Sequence, residues 1–326
     1  MNVFVLGATG FIGSVVAETL QGAGHRLLGL ARSAASASAL EARGIQPVRG
    51  GLESLDVLTD AARAADAVVQ AAFVQEGHDF VTSVAVERAA VRALLRALEG
   101  SGKALVVTSG TAVLGDTGKR VFDEDTPLPR PEAGGAGNDA LRALGERLAM
   151  EREVLGASGL RGIVLRPPNV YGRSDGQSIL AMLRRAGRAL GAVPYAAGTA
   201  DHRWSFVHVD DLARLYLLAL EGARGGELFH AGAESGLRTR AIAEAVSHGL
   251  GLGGRTLELE LAALGEALGV PPLAYYWASN SQSSSDKARR VLGWRPEHTR
   301  MLEELAQRAS TGAAVQSTAE VSQALT

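Results

Sequence analysis

The stretch Asn2–Gly13, NVFVLGATGFIG, decides the fold. NVFVLG (2–7) is an apolar run of the length of a buried strand, and FIGSVVAETLQGAG (11–24) has helical spacing and ends at Gly22 or Gly24. Three glycines join them. Gly7 permits a tight turn, Gly10 lets a pyrophosphate approach the backbone, and Gly13 lets the helix pack on the strand. The phosphates would meet the helix N-terminus, where free N–H groups and the helix dipole favour anions. Cofactor contacts are therefore expected from Gly7, Thr9, Gly10, Phe11, Ile12 and Gly13. A glycine triplet alone also fits a turn that holds nothing. Its place on the first strand of an α/β pattern is what points to a dinucleotide.

That pattern runs outward from the turn. RLLGLAR (26–32), IQPVRG (45–50), AVVQAAF (67–73), ALVVTSG (104–110) and RGIVLRP (161–167) read as strands. Helical segments lie between them, the longest at 79–100 and 138–157. Strands alternating with helices imply a parallel sheet covered on both faces, and right-handed crossovers make it a Rossmann-type doubly wound sheet. After Pro167–Pro168 the pattern loosens. The expected division is a dinucleotide-binding domain over 1–168 and a smaller α/β substrate domain over 169–310, with some segments free to return to the first sheet. A small, polar tail over 311–326 is expected to be flexible.

The end of the second strand selects the cofactor. An acid there would bind a ribose 2′-hydroxyl and repel a 2′-phosphate. Here Ala31 is followed by Arg32 and Ser33, and a guanidinium beside a hydroxyl suits a phosphate. NADP(H) is favoured over NAD(H). The plain alternative is a solvated arginine. Ala71 and Ala72, at the end of the fourth strand, are expected to border the same cofactor.

Composition removes other functions. The chain has no cysteine, which excludes disulfides, thiolate catalysis and zinc–thiolate sites. The net charge of −2 offers no basic surface for nucleic acid. No apolar stretch is long enough for a membrane span, and the start MNVFVLGATG lacks the basic n-region of a signal peptide. A cytoplasmic protein with a small-molecule substrate is the expectation. No metal site is expected: Asp123, Glu124 and Asp125 precede closely spaced prolines and read as a surface loop.

Five segments in order resemble the extended short-chain dehydrogenase/reductase superfamily, in its NAD-dependent epimerase/dehydratase group. They are GATGFIG, LVVTSGTAVLG (105–115), LRPPNVYG (165–172), RWSFVHVDDLARLYLLALE (203–221) and SSSDKARRVLGWRPEHT (283–299). The resemblance covers about residues 1–305. It implies that Pro168, Asn169 and Val170 cup the nicotinamide. It also implies a Tyr-x-x-x-Lys pair on the 138–157 helix and a hydroxyl residue on the preceding loop.

Here the sequence departs from the family. Counted back from Glu151 in ALRALGERLAME (140–151), the lysine position falls on Arg147 and the tyrosine position on Ala143. The residues four before the only lysines are Glu99, Gly115 and Ser283, so no Tyr-x-x-x-Lys exists in any register. The loop hydroxyl falls on Gly110, with Ser109 and Thr111 beside it. Arg147 can hold the ribose and supply positive charge, but it cannot act as acid or base.

Candidate catalytic groups are thus Ser109, Thr111, Arg147 and Tyr171, against ordinary turn chemistry for the hydroxyls and packing for Tyr171. His78, His202, Arg203 and Trp204 are candidate substrate contacts, against solvated or bracing roles. His208 reads as structural, and Asp210 and Asp211 as N-cap residues of the helix that follows. PLAYYWAS (272–279) could wall an apolar pocket or be core. An atypical NADP(H)-dependent oxidoreductase acting on a small carbonyl or alcohol is the leading reading. A non-catalytic NADP(H) sensor or structural protein is the alternative, and a nucleotide-sugar epimerase/dehydratase the third. Relatives dimerise through the helices here at 79–100 and 138–157, so a homodimer is expected.

Overall fold

The computed structural model describes residues 1–73, 79–128, 138–173 and 178–307. The first half alternates as expected: β1 (Asn2–Leu6), α1 (Phe11–Gly22), β2 (Arg26–Ala31), α2 (Ala34–Glu41), β3 (Gln46–Arg49), α3 (Leu55–Ala64), β4 (Ala67–Gln70), α4 (Phe80–Leu98), β5 (Ala104–Thr108), α5 (Asn138–Leu155) and β6 (Arg161–Arg166). After β7 (Asn169–Tyr171), α6 (Ile179–Leu190), β8 (Val193–Ala196), β9 (Arg203–His208) and α7 (Val209–Gly222), strand β10 (Glu227–His230) returns to the first sheet. The sheet order is β10-β6-β5-β4-β1-β2-β3, and every pairing is parallel.

The two faces of this sheet sort the side chains with period two. Val3, Val5 and Val106 point to a core with Val15 and Leu20 of α1 and Leu212, Leu215 and Ala219 of α7. Phe4, Leu6, Leu105 and Val107 point to the opposite core, with Leu58 of α3, Leu94 of α4 and Met150 of α5. Burial on both faces is why these strands are continuous apolar runs.

Residue 168 is therefore not a clean boundary. Strand β10 covers the outer edge of β6, with His230 opposite Arg166, and α7 packs on α1. An unpaired parallel edge would expose backbone donors and acceptors, and β10 supplies them with partners. The remaining elements build the smaller unit: β11 (Glu234–Arg238), α8 (Thr239–Gly249), β12 (Thr256–Leu259), α9 (Leu261–Leu268), α10 (Pro271–Trp277) and α11 (Asp286–Leu292). Its three-stranded sheet β11-β9-β7 and the pair β12-β8 enclose Trp204, Phe206, Trp277 and Leu183.

Helices α4 and α5, the expected dimer surface, pack on each other within the chain. Arg88 and Arg92 of α4 bridge to Glu153 of α5 at 2.5 and 2.8 Å. No helix among the described residues is long and apolar enough to cross a membrane. The stretch 311–326 lies outside the described residues.

Candidate active site

The glycine turn at the end of β1 is closed by Gly10 N donating to Gly7 O at 2.8 Å. Gly7 has φ +87°, and a Cβ there would meet Ala71 O at 2.7 Å. A Cβ on Gly13 would lie 2.1 Å from Gly7 O. Both positions are closed to any side chain by backbone, so helix and strand approach as the sequence implies. Helix α1 begins at Phe11 with Gly10 as N-cap, and no side chain caps it. The N–H groups of its first turn are left for an anion. Thr9 and Gly10 are exposed, Phe11 and Ile12 half-buried. The cradle fits a dinucleotide pyrophosphate.

Arg43, just beyond α2, braces this turn. It donates to Ala8 O at 3.0 Å and to Ser14 O at 2.6 Å. No motif marks it, because its role depends on where the end of α2 lands. Arg32 is exposed at the end of β2. Ser33 has another duty: its hydroxyl accepts from Ser36 N at 3.1 Å and caps α2, while Ser33 N donates to Ser36 Oγ at 3.0 Å. The hydroxyl assigned to a 2′-phosphate from sequence is held by a capping box.

Helix α5 brings Arg147 to the loop that follows β5. Arg147 Nη1 lies 4.0 Å from where a Gly110 Cβ would be. Its guanidinium covers the Phe73 ring at 4.8 Å, and Nη2 donates to Glu87 Oε2 of α4 at 2.7 Å. Glu87 is buried. Burial raises its carboxyl above the usual range, against the opposing pull of Arg147 and Gln70. In sequence Glu87 is a lone acid in an Ala- and Val-rich helix, and only its position on the buried face would have marked it. Ala143 is buried one turn before Arg147 and offers no proton.

The loop after β5 is fixed by backbone: Ser109 N donates to Leu165 O at 2.7 Å and Thr111 N to Pro167 O at 3.0 Å. Ser109 Oγ and Thr111 Oγ1 are buried without a well-formed hydrogen bond among the described residues. Thr111 starts a short 3-10 turn, Thr111–Leu114. Tyr276 of α10 brings its hydroxyl beside those of Thr111 and Ser281. Pro168 and Val170 are buried, and Asn169 Nδ2 is buried with no hydrogen-bond partner among the described residues. Ala71 and Ala72 line the glycine turn, Ala71 N donating to Leu6 O at 3.0 Å.

Other sequence candidates are placed elsewhere. Tyr171 is buried against Phe206 and His208 in the smaller unit's core. Trp204 is fully buried in that core. Arg203 is exposed, and His202 Nδ1 donates to Ala278 O at 2.7 Å. His78 lies outside the described residues. His208, not Asp210 or Asp211, is the N-cap of α7: its Nδ1 accepts from Asp210 N at 3.2 Å. Its ring stacks on His298 at 3.8 Å, and burial first, then His298, pushes its pKa down to about 4.

Glu124 also departs from its reading as a surface loop residue. It is half-buried and accepts from His230 N at 2.6 Å. Beside it, Arg166 of β6 forms a buried double bridge to Glu151 of α5 at 2.9 and 2.5 Å and touches His230 Nε2 at 3.3 Å. Burial and Arg166 push His230 down to about 3. The return of β10 creates this cluster, so sequence spacing could not show it.

Comparison with known proteins gives the family of the chain. The model of the NAD dependent epimerase/dehydratase family matches residues 3–232. An uncharacterised protein of Schizosaccharomyces pombe is 33% identical over 310 residues, covering 94% of this chain and 98% of its own. A 4-hydroxy-2-methyl-3-oxo-4-farnesyl-3,4-dihydroquinoline-1-oxide ketoreductase of Stigmatella aurantiaca is 28% identical over 339 residues, covering 96% and 98%. The crystal structure of dTDP-glucose 4,6-dehydratase from Bacillus anthracis in complex with NAD superposes with TM-score 0.72 at 16% identity, covering 95% and 97%. With the uncapped glycine turn at its first strand, the chain belongs to the NAD-dependent epimerase/dehydratase family.

Proposed function

We propose that the protein is an NADP(H)-dependent oxidoreductase that acts on a small organic carbonyl or alcohol without the family's Tyr–Lys pair. One observation carries this: Arg147, at the lysine position, meets a loop whose two buried hydroxyls, Ser109 and Thr111, lack well-formed partners among the described residues. Unsatisfied buried donors are costly and call for a ligand oxygen. A nicotinamide cofactor bound along the glycine cradle supplies the hydride chemistry. Arg147 Nη1 lies near the loop, and its Nε is buried without a partner among the described residues. Both can donate to ribose hydroxyls while Nη2 stays on Glu87. Asn169 Nδ2 can donate to the nicotinamide side of the cofactor. Ser109 and Thr111 can hold and polarise the substrate oxygen. The ketoreductase relative supports a carbonyl as the reacting group.

The test is a binding titration of NADPH against NADH on the wild type and on Arg32→Ala, followed by a carbonyl panel. Tighter NADPH binding, with the preference lost in the variant, supports the reading. Failure to bind either nucleotide ends it. Ala143 favours a second reading, a sensor that binds NADP(H) without turnover, and any nucleotide-dependent reduction of a panel member excludes that. Epimerisation ranks third, because it needs the same missing pair.

A further inference from the structure

We propose that Tyr276 is the proton donor of this site, delivering its hydroxyl proton to the substrate oxygen from α10 and not from the helix that carries the family's catalytic pair. The inference rests on the oxidoreductase reading above and supplies the acid that Ala143 lacks.

Three features place the group. First, its ring is oriented by core packing. Tyr276 meets the fully buried Trp204 edge-on, with centroids 4.9 Å apart and planes at 79°. Trp204 is itself packed on Trp277 at 4.6 Å. Second, the Tyr276 hydroxyl lies beside the hydroxyls of Thr111 and Ser281, which have no other side-chain or backbone partner among the described residues. With Ser109, three buried hydroxyls keep hydrogen-bonding capacity to spare among the described residues, and a phenol lies beside two of them. Third, the backbone draws this group toward the loop. Ser281 N donates to Arg203 O at 2.9 Å, Ser205 N to Ser281 O at 2.8 Å, and Thr117 N to Asn280 O at 3.0 Å. The segment after α10 is thereby laced between β9 and the chain that follows Thr111. Thr111 adjoins Gly110, beside which Arg147 arrives.

The step balances for a ketone or aldehyde. Hydride reaches the carbonyl carbon, and the π pair of the C=O bond takes the Tyr276 proton to form O–H. The carbonyl is reduced to an alcohol, the reduced nucleotide is oxidised, and the phenolate regains a proton from water. Burial raises the Tyr276 pKa and the two hydroxyls lower it. On the adjoining loop, His202 is held by Ala278 O. Tyr276 stays protonated at neutral pH, as an acid for reduction must.

The test uses protein labelled with 13Cζ tyrosine, with Tyr276→Phe to assign the resonance. Its neighbour Tyr275 is 70% exposed and serves as an internal control. NADP+ is added as the probe. The expected result is that the Tyr276 resonance shifts and its ionisation midpoint falls, because a positive ring nearby favours phenolate, while Tyr275 does not move. Bound NADP+ with an unmoved Tyr276 overturns this proposal alone. Absence of nucleotide binding overturns both readings. On a carbonyl probe that the wild type reduces, Tyr276→Phe should lower kcat by about 10²–10⁴-fold and leave NADPH affinity intact. A loss below about threefold would sink the assignment.

Discussion

Arg147 and Glu87 form a bridge at 2.7 Å between α5 and α4, and the carboxylate end is the more deeply buried partner. The arginine that we place at the family's lysine position is thus held by an acid on a neighbouring helix. This fixes its head at the loop and keeps one positive charge beside the expected ribose.

Removing Arg147 strands that acid. Arg147→Ala should cost about 3–5 kcal/mol, since breaking a buried pair leaves a charge uncompensated. The double variant Arg147→Ala/Glu87→Gln should recover much of it. Without the arginine, Glu87 has a still higher folded pKa, so the folded state binds more protons than the unfolded one. The single variant should therefore gain stability as pH falls toward 5. Urea denaturation at several pH values reads all three effects.

Gly10 and Gly13 should not respond alike. A Cβ on Gly13 strikes Gly7 O at 2.1 Å, whereas on Gly10 its nearest contact is Gly7 O at 3.3 Å. Gly13→Ala should lower both Tm and NADPH affinity. Gly10→Ala should leave Tm nearly unchanged and weaken NADPH, since the new methyl stands where the pyrophosphate approaches. Thermal melts and NADPH fluorescence titration separate the two.

Arg43 ties α2 to the turn through Ala8 O and Ser14 O. Hydrogen bonds from a charged donor are worth about 1.5–3 kcal/mol each. Arg43→Ala should weaken NADPH at least about tenfold by loosening the turn. If calorimetry shows nucleotide affinity unchanged, the bracing role is wrong.

Acid should destabilise the fold through His208, which is held near pKa 4 by burial and by His298. Between about pH 6.5 and 4 the unfolded imidazole takes up a proton that the folded one refuses. The unfolded state binds more protons there, so stability falls as pH falls. His208→Asn keeps a cap acceptor for Asp210 N but removes the titration. It should start less stable at pH 7.5 and show a shallower loss between pH 6.5 and 4, measured by Tm.

The fold was legible because its signals are local. Valines and leucines of β1 and β5 alternate between two cores, and Gly7, Gly10 and Gly13 mark the turn without help from distant residues. The loss of the Tyr-x-x-x-Lys pair was legible for the same reason, as a matter of residue identity at fixed spacing. Tertiary structure decided everything that depends on which segments meet. It returned β10 to set His230 beside Arg166. It buried Glu87 against Arg147 and brought Tyr276 to Thr111 across 165 positions of chain. Spacing along a strand or helix fixes a face within one element. Contacts between elements depend on packing in three dimensions, where sequence separation carries no distance.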